Sequence, residues 1–106
     1  MLRLMIVDDE QIIREALSSM IDYTSLGYEV IATAKNGMEA YDRIRDDYPD
    51  VVITDIKMPI LNGLELIERA SRIDSRITFI LLSGYGEFEY AKQAMKYGVR
   101  YYLLKP

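Results

Sequence analysis

The sequence predicts an α/β domain built on a parallel, doubly wound β-sheet. Five short apolar runs rich in β-branched residues alternate with segments whose apolar residues recur at helical spacing. The first, third and fourth runs are apolar without alternation, which is typical of strands buried on both faces of a parallel sheet. The predicted strands are residues 2–7, 30–34, 51–54, 78–82 and 101–104.

The four intervening segments are predicted to be amphipathic helices. In the first, apolar residues at i, i+3, i+4, i+7 and i+8 form one face, and the other three segments repeat this helical spacing. The predicted faces are Ile13, Ala16, Leu17, Met20 and Ile21; Gly37, Ala40, Tyr41, Ile44 and Tyr48; Gly63, Leu66, Ile67 and Ala70; and Phe88, Ala91, Ala94 and Met95.

Helix boundaries are marked by capping residues. Asn36 and Asn62 each stand before a predicted helix with a Glu three residues on, which favours a capping box. Pro49 closes the second helix, and Gly98 stands where a left-handed glycine would end the fourth. The βαβαβαβαβ order implies right-handed crossovers in either a flavodoxin-like sheet or half of a Rossmann-type fold.

Composition excludes several classes of function. The 106 residues fit one domain, and 50% apolar with 28% charged residues is typical of a soluble globular protein. Because Cys and His are absent, thiolate chemistry, zinc sites and histidine triads are excluded, and a cytoplasmic location is expected. The net charge of -4 argues against direct DNA binding, and the apolar start of the chain is too short for a signal peptide, so no membrane contact is expected.

Polar side chains collect at the predicted carboxyl ends of four strands. Asp8 and Asp9 follow the first strand, Asp55 the third, Ser83 the fourth and Lys105 the fifth. Taken singly, each is explained by a helix cap, a turn or a solvated surface. Because the carboxyl ends of parallel strands share one edge, the whole set predicts a single site there.

Three carboxylates in one site predict a bound divalent cation. Asp8, Asp9 and Asp55 would otherwise repel one another, and Mg²⁺ suits a site with few protein ligands and room for phosphoryl oxygens. A carboxylate held there is a competent nucleophile toward phosphorus, giving an aspartyl phosphate. The metal, a lysine and a hydroxyl would hold the equatorial oxygens.

These motifs resemble the response-regulator receiver family over the whole chain. The matching stretches are Val7-Asp8-Asp9-Glu10, Ile53-Thr54-Asp55-Ile56-Lys57-Met58-Pro59 with Asn62-Gly63, Leu82-Ser83-Gly84 and Tyr102-Leu103-Leu104-Lys105-Pro106. The resemblance implies a flavodoxin-like sheet in the order 2-1-3-4-5, with Asp55 as phosphoacceptor and Asp9 as direct Mg²⁺ ligand. Asp8 would assist through water, and the backbone carbonyl of Lys57 would complete the protein's share of the shell.

The resemblance also implies how the site works. Ser83 would be the hydroxyl that moves toward the phosphoryl group, Tyr102 the aromatic switch that follows it, and Lys105 the lysine of the site. The domain would be a signalling module rather than an enzyme, catalysing only its own phosphorylation and dephosphorylation. The resemblance implies a sensor histidine kinase as the phosphoryl donor and a homodimer on phosphorylation. Because the chain has no histidine, a donor phosphohistidine must come from another protein.

Two segments resemble receivers joined to AraC-type DNA-binding domains more narrowly. These are residues 83–92 and the longer first loop, residues 22–27. The resemblance implies that the parent protein regulates transcription and reaches DNA only through an output domain outside this chain.

The order 2-1-3-4-5 leads to an expectation about sheet coverage. Right-handed crossovers place helix 1 on one face and helices 2, 3 and 4 on the other. The family covers the first face with a fifth helix after the Lys-Pro pair. Residues 1–106 are therefore expected to be a receiver domain truncated before that helix, with Leu103 exposed.

Three alternatives remain. The first is a phosphatase of the haloacid dehalogenase class, whose motif is Asp-x-Asp. Two positions after Asp55, where that motif has its second Asp, this chain has Lys57. A nucleotide-binding module would need a phosphate loop, and the stretch Gly84-Tyr85-Gly86 lacks the third glycine. A pseudo-receiver would lack an acid, and none is missing. Acid-labile phosphate on Asp55 with Mg²⁺ discriminates among them.

Overall fold

The computed structural model describes residues 1–84, 86–99 and 101–105. Its five strands form one parallel sheet in the order β2-β1-β3-β4-β5, so the flavodoxin-like prediction is confirmed. Tyr85 and Pro106, which the sequence motifs included, lie outside the described residues. The elements are β1 Leu2–Val7, α1 Gln11–Ser19, a 3-10 turn Thr24–Leu26, β2 Tyr28–Ala34, α2 Gly37–Asp47, β3 Val51–Asp55, α3 Gly63–Ile73, β4 Thr78–Ser83, α4 Phe88–Met95 and β5 Tyr101–Leu104.

Two strands extend one residue further than the apolar pattern predicted. Asp55 is the last residue of β3 and Ser83 the last of β4, because both are still in register with the neighbouring strand. Their polar side chains are therefore held by the ladder of the sheet itself and not by a loop. Strand β2 begins at Tyr28, two residues before the predicted start.

The sheet separates two apolar cores, as the predicted handedness requires. The larger core packs α2, α3 and α4 on one face, with Ile44, Leu66 and Leu81 fully buried. The smaller core lies on the α1 face around Leu4 and Ile6. The placement of helix 1 opposite helices 2, 3 and 4 is thus confirmed.

The first helix is shorter than predicted. It ends at Ser19, so Met20 and Ile21 leave the predicted face and Met20 is 81% exposed. The cause is tertiary: Tyr23 is buried on this face of the sheet, and its hydroxyl donates a hydrogen bond of 2.7 Å to the carbonyl of Leu17. The burial of this ring is a tertiary contact that local periodicity does not encode.

Only half of the predicted face of α4 is buried. Ala91 and Ala94 pack against the sheet, whereas Phe88 and Met95 are more than half exposed. Two small side chains bring the helix close to the sheet while leaving the larger residues at its margins. The exposed Phe88 becomes one wall of a cleft beside the site.

Strand β5 is an edge strand with no buried residue. Tyr101 and Leu103 are in register with Ile80 and Leu82, which places them on the α1 face. Leu103 is 57% exposed there, as expected. The fifth helix itself stays a prediction. In the part of the chain that the structure describes, no helix is long and apolar enough to cross a membrane.

Candidate functional site

The amino group of Lys105 bridges two carboxylates at the carboxyl edge of the sheet. Its Nζ atom lies 3.0 Å from Oδ2 of Asp8 and 3.0 Å from Oδ2 of Asp55. The second oxygen of each carboxylate accepts a backbone N–H: Asp8 Oδ1 from Glu10 at 2.9 Å and Asp55 Oδ1 from Ile56 at 2.8 Å. Three residues from three strand ends thus meet as the sequence predicted.

Burial and the neighbouring charges shift the pKa values of Asp55 and Lys105. Asp55 is 4% exposed, and burial, reinforced by the nearby charge of Asp8, raises its pKa to about 6 against the stabilising contact with Lys105. For Lys105, burial acts to lower the pKa, but the close contacts with the Asp55 and Asp8 carboxylates outweigh it and leave that pKa raised. One ammonium therefore does not fully compensate two buried carboxylates.

This imbalance predicts that Asp55→Asn stabilises the metal-free protein. A carboxyl whose pKa is higher in the folded state binds its proton more tightly there, so stability falls as pH rises through 6. In EDTA at pH 7.5 the variant should gain about 2–3 kcal/mol in free energy of unfolding. Near pH 5 the difference should shrink. Urea titrations of both proteins at each pH measure it, and a gain that does not depend on pH would contradict the account.

Two members of this trio, Asp55 and Lys105, line a cleft of about 390 Å³ at the carboxyl edge. This cleft, called here the acceptor cleft, is lined by Asp9, Glu10, Asp55, Lys57, Gly84, Glu87 and Lys105. A larger cavity of about 580 Å³ lies at the opposite edge, beside the first residues of β1, β3, β4 and β5. Because that cavity contains none of the carboxylates, the acceptor cleft is the candidate site.

The carboxylates have the composition of a Mg²⁺ site. Oxygens of Asp8, Asp9 and Glu10 lie within 4.8 Å of one another, and Asp55 faces the same cleft as Asp9. Asp8 is buried, whereas Asp9 and Glu10 are exposed, so waters can complete the shell of a hydrated cation. The uncompensated negative charge around Asp55 supplies the attraction. The residues therefore fit Mg²⁺, and Glu10 is an additional carboxylate to which the sequence assigned no role.

Ser83 and Tyr102 line a second, adjoining cleft of about 220 Å³ together with Phe88 and Leu104. Ser83 is 1% exposed and its hydroxyl donates to the carbonyl of Gly84 at 3.2 Å. The structure thus places Ser83 and Tyr102 in the same cleft. Gly84 lines this cleft and also the acceptor cleft, so the two clefts adjoin at that residue.

Two glycines fix the loop that follows Asp55. The N–H of Gly63 donates to the carbonyl of Ile56 at 2.7 Å, and a Cβ at Gly63 would lie 2.3 Å from the carbonyl oxygen of Asp55. A Cβ at Gly37 would lie 2.0 Å from the carbonyl oxygen of Leu61, in the same loop. These contacts were missed by the sequence analysis, which treated both glycines as helix positions.

The start of α3 is locked as the capping pattern predicted. Asn62 accepts from the backbone N–H of Glu65, and the Glu65 side chain accepts from the N–H of Asn62. At α2 only the Asn36 half of the box forms. The complete cap fixes the end of the loop at Asn62, and the hydrogen bond from Gly63 to Ile56 ties that end to the residue after Asp55.

The chain matches the family model described as the response regulator receiver domain over residues 4–106. Over all 106 residues it is 52% identical to an uncharacterized transcriptional regulatory protein, YesN, of Bacillus subtilis strain 168, and covers 29% of that protein. It is 42% identical to the transcriptional regulatory protein HptR of Staphylococcus aureus and covers 41% of it. The chain thus spans less than half the length of these curated relatives.

Solved structures agree with this assignment. The receiver domain of AraT, a response regulator from Geobacillus stearothermophilus, matches with a TM-score of 0.94 and 39% identity, over 99% of this chain and 81% of that one. A two-component transcriptional regulator AraC from Clostridium phytofermentans matches at 0.92 and 34%, over 100% and 82%. CheY in a CheX–CheY–BeF3–Mg complex from Borrelia burgdorferi matches at 0.88 and 28%, over 99% and 78%.

The chain belongs to the response regulator receiver domain family, whose members are signalling domains of two-component systems. Its homologues are transcriptional response regulators. The family and the fold predicted from the sequence are both confirmed.

Proposed function

We propose that this domain accepts a phosphoryl group on Asp55 from the phosphohistidine of a sensor kinase, with Mg²⁺ bound in the acceptor cleft. The observation that carries the proposal is the buried Asp55 carboxylate in the lining of a cleft that also holds Lys105 and the exposed acids Asp9 and Glu10. Nucleophile, cation and metal-binding oxygens lie within one opening.

The transfer exchanges one bond to phosphorus for another. A carboxylate oxygen of Asp55 attacks phosphorus, the bond from phosphorus to the donor's imidazole nitrogen breaks, and that nitrogen keeps the electron pair. Asp55 must be ionised to attack, which its pKa of about 6 allows at neutral pH. Lys105, 3.0 Å from the attacking carboxylate, offers its positive charge to the phosphoryl oxygens.

Mg²⁺ would neutralise the charge that builds up between the acids and the phosphoryl oxygens. Asp9 and Asp55 would hold it directly, Asp8 through water, and Lys57 through its backbone carbonyl. Asp8 also orients Lys105 at 3.0 Å, which supports a positioning role for this buried acid. Position 57 holds a lysine and not the second acid that phosphatase chemistry would need, and its amino group lies 5.6 Å from the centre of the Tyr90 ring.

The test is the mass of the intact chain after exposure to acetyl phosphate. With Mg²⁺ the mass should rise by one phosphoryl group, and with EDTA it should stay unchanged because the acids then repel the donor. Treatment with hydroxylamine should remove the group, as it does from acyl phosphates. An unchanged mass in the presence of Mg²⁺ would refute the proposed function.

A switch through Ser83 and Tyr102 is part of the proposal. The Ser83 hydroxyl would leave the Gly84 carbonyl for the phosphoryl oxygens, and Tyr102, 37% exposed in the same cleft, would move into the vacated space. Phosphorylation would thereby shift a two-state equilibrium read out on α4 and β5.

This switch predicts that Ser83→Ala is still phosphorylated but loses most of the response at Tyr102. The variant keeps the nucleophile and the acids while removing the hydroxyl that couples the two clefts. Chemical-shift changes on adding acetyl phosphate and Mg²⁺ should fall to less than about half of the wild-type change at Tyr102. Ser25→Ala, in the exposed first loop, is the control. A full response in Ser83→Ala would exclude this route.

The remaining parts of the proposal concern partners. The donor would be a sensor histidine kinase, a homodimer would form on phosphorylation, and DNA would be reached only through an output domain, which the transcriptional homologues support. The AraC regulator among the similar structures favours an AraC-type output. A cytoplasmic location belongs to the same proposal.

A further inference from the structure

The side chain of Glu87 folds back into the acceptor cleft. Its Oε1 atom accepts the backbone N–H of Gly84 at 3.2 Å. Its Oε2 atom is buried and, within residues 1–84, 86–99 and 101–105, has no hydrogen-bond partner. Glu87 stands immediately before α4, yet its side chain makes no capping bond to that helix. The carboxylate is therefore directed at the cleft and not at its own helix.

The absence of a side chain at Gly84 makes this position possible. A Cβ there would lie 2.6 Å from Glu87 Oε1, and the nearest contacts are all with the end of that flexible side chain. The φ angle of Gly84 lies outside the left-handed region, so an alanine is compatible with the backbone. Gly84→Ala should therefore displace the carboxylate and leave the turn intact.

We propose that Glu87 is a positioning residue of the phosphoacceptor site, whose carboxylate occupies the Gly84 N–H until a phosphoryl group on Asp55 displaces it. The inference rests on the proposed function and adds a residue to it. A partly buried N–H in a cleft that receives an anion is a natural donor to phosphoryl oxygens. In the unphosphorylated protein that donor is already paired with an internal anion.

Like charges drive the exchange. The acceptor cleft already contains Asp9, Glu10 and Asp55, with Lys105 and Lys57 as the cations that line it. A phosphoryl group adds negative charge beside a carboxylate whose buried Oε2 has no hydrogen-bond partner among the described residues, in a place where water screens poorly. By leaving, the Glu87 carboxylate gives up its hydrogen bond to Gly84 and gains hydration.

Movement of the Glu87 side chain out of the acceptor cleft would directly affect the second cleft. Phe88, the next residue, lines that cleft with Ser83 and Tyr102, and Gly84 belongs to both clefts. Movement of Glu87 would therefore shift the first turn of α4 at the wall that Tyr102 faces. The carboxylate restrains this turn in one state and releases it in the other.

The test compares three variants of the 106-residue chain. Glu87→Gln keeps the shape but removes the charge, Gly84→Ala evicts the carboxylate, and Glu89→Gln removes an equal charge from the exposed first turn of α4. Initial rates of Asp55 phosphorylation by subsaturating acetyl phosphate with Mg²⁺ should rise about fivefold in the first two and change less than about twofold in the third. Combining Glu87→Gln with Gly84→Ala should add little, because both remove one interaction.

A second readout does not depend on phosphorylation. In unphosphorylated protein the Gly84 amide proton should move upfield on Glu87→Gln, because a charge-assisted hydrogen bond is weakened, and should not move on Glu89→Gln. This readout still tests the inference if Glu87→Gln folds poorly. The side chain of Glu87→Asp is too short to reach the Gly84 N–H, so this variant should give the same upfield shift.

The outcomes separate the two ideas. A wild-type chain that takes no phosphoryl group overturns the proposed function and this inference together. A wild-type chain that is labelled, with rates in Glu87→Gln and Gly84→Ala equal to or below that of Glu89→Gln and a Gly84 amide indifferent to Glu87, overturns the inference alone.

Discussion

Replacing Asp55 by Asn should abolish phosphorylation by acetyl phosphate, lowering the rate by at least about a thousandfold, because an amide oxygen is not a competent nucleophile. The substitution keeps the size of the side chain at a position that is 4% exposed, so the fold should persist. The measurement is intact mass over time with saturating donor and Mg²⁺.

A matched control separates the nucleophile from general loss of charge. Asp46→Asn removes one carboxylate from the exposed face of α2 and should leave the rate unchanged. Peptide mapping of the wild type should place the group on Asp55. Undiminished labelling of Asp55→Asn would show that another carboxylate, Asp9 or Glu10 in the same cleft, is the acceptor.

Gly63→Ala should lower the free energy of unfolding by about 3 kcal/mol, the upper range for overpacking a rigid site. Its Cβ would meet the carbonyl oxygen of Asp55 at 2.3 Å and the Cα atom of Ile56 at 3.0 Å, and backbone atoms cannot swing aside. Relief requires the start of α3 to move away from β3. Phosphorylation should slow as well, because the carbonyl that must shift belongs to the phosphoacceptor residue.

Gly84→Ala is the appropriate control for this prediction. It adds the same methyl group to the same edge of the sheet, but its Cβ meets only the flexible end of Glu87. Urea unfolding of both variants, followed by circular dichroism, gives the comparison. Equal stability of Gly63→Ala and wild type would mean that the loop after Asp55 is far more compliant than its contacts indicate.

The fold could be predicted because its signals are local and repeated. Continuous apolar runs mark buried parallel strands, and right-handed crossovers then place polar residues such as Asp8, Asp55 and Lys105 at one edge without knowledge of any contact. The structure brings those three within ion-pairing distance. Their chemical roles stay predictions until phosphate and metal are measured.

What the sequence could not supply depends on tertiary contacts. Met20 and Phe88 fit a helical stripe, but a stripe does not say how far the sheet extends beneath it, and both side chains are exposed. Glu87 resembles an ordinary acid at a helix start. The contact of its side chain with the Gly84 N–H cannot be predicted from residue types. Gly63 was predicted only as a helix position, and its close approach to the Asp55 carbonyl oxygen is seen only in the structure.

The attachment of β5 has a consequence for local stability. None of its side chains is buried, so the strand is held to the sheet by its backbone bonds to β4 and, one residue on, by the ion pairs of Lys105. Any ligand or modification that draws Lys105 or Asp55 into new contacts changes the anchoring of this strand. Hydrogen exchange at the amides of Tyr102 and Leu104 therefore senses events in the acceptor cleft as a change in local opening, even where the average structure stays the same.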